Sequence, residues 1–167
     1  MSIYFKDNFF SAGITEIMDR DGNVTGSLDL KSALGSSLDV YNASGDLVCS
    51  GSFRFFSNKW NITGGNGEEL GLLRMRMSFF TKKFEYDAGQ RGVYEITSPA
   101  FSNEYEITDH AGRVVAHFSR ISGWLQSGAY QLQNESDTLG DWELVAVVMG
   151  IHQIRKRNNN AAASSSH

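Results

Sequence analysis

One cysteine, one proline and no long apolar run set the first limits on this chain of 167 residues. Cys49 is alone, so no internal disulfide can form, which fits a reducing compartment. With Pro99 the only proline against 17 glycines, turns fall to glycine and short polar side chains. The run without a polar side chain, Leu144 to Ile151, is far shorter than the ~18 residues of a membrane-spanning helix. No transmembrane insertion is expected. A basic excess is also missing: the net charge is -4 and the pI about 5.5, which argues against nucleic acid as a partner. The opening "MSIYFKDNFF" holds Asp7 and no apolar h-region, so it does not read as a signal peptide, and a cytoplasmic protein is expected. The length suits one domain that needs no staples.

What is present is a beat. Six triplets recur: "TEI" at Thr15, "LDV" at Leu38, "WNI" at Trp60, "FEY" at Phe84, "YEI" at Tyr105 and "YQL" at Tyr130. Their starts lie 21 to 25 residues apart, a spacing that points to a repeat. Each sets a polar residue between two larger or β-branched ones, the period-two pattern of a half-buried strand. A glycine-bearing turn follows most of them, as in "DRDGN", "NASGD", "GGNGE", "AGQRG" and "DHAGR". A second apolar run then completes a hairpin. Wider corners such as "KDNFFSAG", "RFFSNKW" and "RMSFFTKKF" separate the hairpins. With Met1–Phe10 as a first strand, about twelve strands are expected. Antiparallel strands with one apolar face must hide their edges, and closure into a barrel does so.

A barrel of about twelve strands is too wide to be filled by its own side chains. The segment "DTLGDWELVAVVMGIHQIRKR" is the expected plug. Asp141 is placed at its N-cap, Glu143 near the positive end of the dipole, and Arg155, Lys156 and Arg157 at the negative end. Apolar side chains all round mark a buried helix over about 140–157, with Trp142, Leu144, Val145, Val148 and Ile151 as its core residues. The fold expected is thus mainly β, a closed antiparallel barrel built from repeated hairpins around a hydrophobic C-terminal helix. Residues 1–157 form its single domain. Residues 158–167, "NNNAAASSSH", read as a low-complexity disordered tail.

Hairpins of the form "YEITDHAGRVVAHFSR", the "GAYQLQ" strand and the apolar C-terminal helix resemble the LURP-one-related family. That family belongs to the tubby C-terminal-domain-like superfamily, with phospholipid scramblases as distant relatives. The resemblance spans Ile3 to about Ile154, and the opening residues are similar to small bacterial members. It implies a twelve-stranded barrel around a central helix. In tubby-type domains, basic side chains on the barrel bind membrane phosphoinositides. The scramblase features, a calcium segment, acylated cysteines and a proline-rich region, have no counterpart in a chain with one cysteine and one proline.

Other motifs are weighed by their place in the hairpins. Asp19, Asp21 and Asn23 have a calcium-like spacing, but Gly22 stands two places too early for an EF-hand loop, so a turn is expected. "GGNGEELG" joins two strands rather than a strand and a helix, unlike a nucleotide loop. His110, His117 and His152 fall on different elements, without metal-ligand spacing. His152 needs a partner near the end of a buried helix. Cys49 alternates like a core residue, and no serine stands in a nucleophile elbow. No catalytic residue, cofactor or metal is expected. The densest basic stretch outside the tail holds Arg74, Arg76, Lys82 and Lys83, a candidate anion or lipid-headgroup site if Arg74 and Arg76 share a face. The expected function is a non-enzymatic binding module for a lipid headgroup or membrane surface, peripheral at the membrane. A soluble scaffold holding a protein partner, or an enzyme with a polar pocket, is the alternative.

Overall fold

A computed structural model describes residues 1–31, 37–77, 83–99, 102–123 and 128–165. Twelve strands stand among these residues: β1 (Ser2–Phe5), β2 (Gly13–Met18), β3 (Val24–Leu30), β4 (Ser37–Asn42), β5 (Leu47–Phe53) and β6 (Trp60–Gly64) come first. β7 (Glu69–Arg76), β8 (Lys83–Asp87), β9 (Val93–Thr97), β10 (Tyr105–Thr108), β11 (Val114–Ile121) and β12 (Ala129–Asn134) follow, and one α-helix, α1 (Asp141–Ser164), ends the chain. Each strand pairs antiparallel with its sequence neighbour, and β1 pairs with β12 to close the barrel. At the seam Ser2 faces Gln133 and Phe5 faces Tyr130. The expected first strand is shorter than Met1–Phe10. After Phe5 the chain turns into a 3-10 helix over Asp7–Phe10, and its Phe9 is fully buried against Phe5 and Phe118.

The repeated triplets have one physical meaning. Their first and third residues all face the core: Thr15 and Ile17, Leu38 and Val40, Trp60 and Ile62, Phe84 and Tyr86, Tyr105 and Ile107, Tyr130 and Leu132 are buried. In four of the six, a β-bulge follows directly, at Ile17/Met18, Val40/Tyr41, Ile62/Thr63 and Ile107/Thr108. The turns beyond these bulges are alike. Gly22, Gly45, Gly67 and Gly112 take φ between 77° and 84°, which an L side chain adopts only under strain. This is the bulged hairpin with glycine in the left-handed position. Asp19, Asn42 and Asp109 each accept two backbone N–H groups of their own turn through Oδ1. The polar residue at the strand end therefore sets the turn, as Asx side chains do.

Helix α1 fills the lumen. Leu144, Val145, Val148 and Ile151 are at most 1% exposed, and burial continues to Ile154; Trp142, at the rim, is only half-buried. The helix lies closest to β5, β6 and β7. Glycine lets it approach: a Cβ on Gly150 would stand 2.4 Å from the Trp60 ring, and one on Gly51 would stand 2.5 Å from the same indole. The opposite wall is lined by rings instead, with Phe5, Phe9, Phe118 and Tyr130 in contact and Tyr105 stacked on Phe118. An off-centre helix and large aromatics together occupy the width that twelve strands enclose.

Both helix ends differ from the expectation. Gly140, not Asp141, is the N-cap, and the Gly140 N–H donates to Glu143 Oε2 at 3.4 Å. Asp141 instead accepts from Asn134 Nδ2 at 2.8 Å, tying the helix start to β12. The helix also runs on to Ser164, so most of the expected disordered tail is helical and largely exposed. Arg155, Lys156 and Arg157 therefore lie before the last turn, which holds no basic residue. Arg155 Nη1 donates to the Ser102 carbonyl and Tyr105 Oη, and Arg157 Nη1 to the Ser57 carbonyl. They fasten the helix to the barrel rim. Among the described residues no helix is long and apolar enough to cross a membrane.

Candidate functional site

Strand parity places the basic stretch. Leu73 and Phe84 point inward, so Arg74 and Arg76 on β7 share the outer face with Glu85 on β8. Both guanidiniums bind that one carboxylate: Arg74 Nε donates to Oε1 at 2.9 Å and Arg76 Nε to Oε2 at 2.7 Å. The Glu85 side chain is only 14% exposed. Burial would raise its pKa, yet hydrogen bonds and charge from Arg74 and Arg76 outweigh this and hold it below the usual carboxylate range. Lys83 binds Glu95 at 2.8 Å. Lys82 lies outside the described residues. The stretch thus holds two guanidiniums on one carboxylate, at the rim where β7 ends. Beside it lies an open cleft of about 570 Å³ lined by Arg76, Glu85, Glu95, Thr108 and His110.

A second cluster escaped the sequence reading. Arg91, in the β8–β9 turn, donates to both oxygens of Glu143 at 2.7 Å, and to the carbonyls of Leu70 and Thr138. Tyr86 Oη donates to the same carboxylate from within the lumen. Glu143 is 5% exposed and so bound on both sides. Burial first, and then the Glu143 charge, push the Tyr86 phenol far above its ordinary range, so it stays a donor. The cluster locks the helix start to the barrel. The available signal was an acid in the first turn of an otherwise apolar helix. Its partner, 52 residues earlier, carried none. A cleft of about 390 Å³ lies outside, lined by Arg91, Tyr94, His110, Arg113, Ser136 and Thr138.

The remaining motifs fall on turns, on a strand and on the helix. The Asp19 carboxylate accepts the N–H groups of Asp21 and Asn23 and the Asn23 side-chain amide, so it organises its own turn. "GGNGEELG" joins β6 to β7. Cys49 is buried, and burial followed by the Glu143 charge pushes its thiol up to about 12, far from thiolate reactivity. His152 stacks on Phe10, with ring centroids 4.3 Å apart. Among the described residues no group of three or more His, Cys, Asp or Glu side chains could hold a metal ion.

Strand alternation sorts the loops between the two ends of the barrel, and with them the charge. The tight turns and the helix start lie at one end. There the connectors 19–23, 43–46, 65–68, 88–92, 109–113 and 135–140, with residues 141–143, carry nine acidic and three basic side chains. The wide corners lie at the other end. Their described residues, with 155–157 of the helix, carry seven basic and two acidic side chains. The molecule is an electric dipole along its barrel axis, with Arg76 and Lys83 at the strand ends that meet the basic side.

No family model matches the chain, and no curated protein does. Its architecture is similar to the X-ray structure of a protein from Arabidopsis thaliana, with a TM-score of 0.61 over 94% of this chain and 90% of that one. The sequences are 12% identical, so the likeness is one of fold alone.

Proposed function

We propose that this protein is a non-enzymatic binding module that recognises anionic lipid headgroups with the outer surface of its barrel. The segregation of charge between the two ends carries the reading. A chain with a net charge of -4 would be repelled by an anionic surface if that charge were spread evenly. Sorting the acids to the tight-turn end leaves a basic face that such a surface attracts. Arg74 and Arg76 extend that face along β7, and a phosphate can compete with Glu85 for their forks. The filled lumen supports a role on the outside, and the resemblance to LURP-one-related and tubby-type domains supports a lipid as ligand. On this reading the protein acts in the cytoplasm, peripheral to the membrane.

Sedimentation with phosphatidylserine-containing vesicles tests it. Wild-type protein is expected in the pellet at low salt and not with pure phosphatidylcholine. Arg76→Gln removes one surface cation, worth about 1 kcal/mol, and is expected to weaken binding about fivefold. Absence of the wild type from both pellets would refute the reading.

A further inference from the structure

The basic end also carries the most exposed apolar side chains among the described residues. Phe55, Phe56 and Met77 are 88%, 94% and 93% exposed, while other large apolar side chains are mostly buried. They lie on two connectors of the same end, β5–β6 and β7–β8, whose strands β6 and β7 pair. Phe56 has φ 51°, the only positive value of a non-glycine among the described residues. A phenylalanine holds this conformation only under strain. The ring meets Phe55, at 4.1 Å between centroids, and both remain in water. The loop beneath is held firmly. Arg157 donates to the Ser57 carbonyl and covers the Phe53 ring at 4.4 Å, and Asn58 Nδ2 donates to Asn158 Oδ1 at 2.6 Å. Arg54 and Lys59 flank the tip, Arg54 in an exposed pair with Glu69.

A strained, water-exposed pair of rings on a rigid base, set among cations, calls for a partner that is apolar just below an anionic layer. A bilayer has that order, and it needs no groove to receive a convex tip. We infer that the wide-corner end docks on an anionic membrane, with Phe55 and Phe56 in the headgroup–acyl boundary and the acidic end turned to water. This rests on the lipid-binding reading above and adds the face, the orientation and an apolar contribution that salt does not screen.

The experiment compares wild type with Phe55→Ser/Phe56→Ser on phosphatidylserine-containing vesicles at low and high salt. The wild type is expected to keep part of its binding at high salt. The double variant is expected to melt like the wild type, because neither ring packs in the core, and to bind about 10- to 100-fold more weakly at either salt. If the double variant binds as the wild type does, ring insertion is refuted while lipid binding stands. If the wild type ignores the vesicles at low salt, both fail. Equal wild-type binding to neutral vesicles would overturn the anionic requirement.

Discussion

At the scale of single residues, close approaches outweigh intrinsic preferences. A mid-helix glycine usually costs about 1 kcal/mol relative to alanine. Gly150 is kept because the Trp60 indole occupies the space of its Cβ. Gly150→Ala is therefore expected to destabilise the protein by about 1–3 kcal/mol, measured by urea unfolding, where propensity alone would stabilise it. His152 shows a second effect. Burial, then Lys156 and Arg155, depress its pKa from 6.5 to about 4. The folded state thus resists a proton that the unfolded chain accepts. Full stability is present above pH 6.5, and about 3 kcal/mol is lost as pH falls from 6.5 towards 4. The depressed carboxylates Glu85 and Asp39 lose their contributions only below their ordinary values of 4.5 and 3.8, so the upper window belongs to His152. His152→Gln is expected to flatten the slope between pH 6.5 and 4.5 in denaturation series. Sequence placed His152 on the buried helix. That Phe10 would be its stacking neighbour could not be read, because Phe10 looked like strand.

At the scale of elements, the hairpins were legible because their causes are local. Alternation assigns the faces, and an Asx residue with a glycine three positions later sets the turn. The plugging helix was legible for the same reason: an apolar surface on every side must be buried. Val148 is 0% exposed at the middle of the plug, and Val148→Asp would put a charge there with no cation to meet it. This variant is expected to show no cooperative thermal transition by circular dichroism. The helix ends were misjudged because caps and extensions depend on neighbours. Asn134 takes the Asp141 carboxylate that would otherwise cap the helix, and Asn58 and Met75 meet Asn158 where the tail was expected to be disordered.

At the scale of the whole molecule, closure through β1 and β12 brings together residues that nothing in the sequence connects. Twelve strands that alternate in direction send every second connector to the same end. This parity, acting on charges that look mixed along the chain, produces one acidic and one basic end. The same parity puts Phe55, Phe56 and Met77 on the basic side. The vesicle experiments belong to this scale, because attraction depends on the summed field, whereas insertion depends on which loops reach a surface together. The Arg74–Lys83 stretch was visible as a basic run, but its pairing with Glu85 and Glu95 was not, since pairing across strands needs the register.

Patterning along the chain determined by itself the strand faces, the hairpin turns, the closed barrel and the need for a plug, because each follows from periodicity within a few residues or from unpaired strand edges. Tertiary structure alone decided the rest. It set Glu143 against Arg91, placed the helix against β5–β7 through Gly51 and Gly150, and sorted charge and exposed rings to one end. Those features depend on distances across the barrel, which exist only once the last strand has met the first.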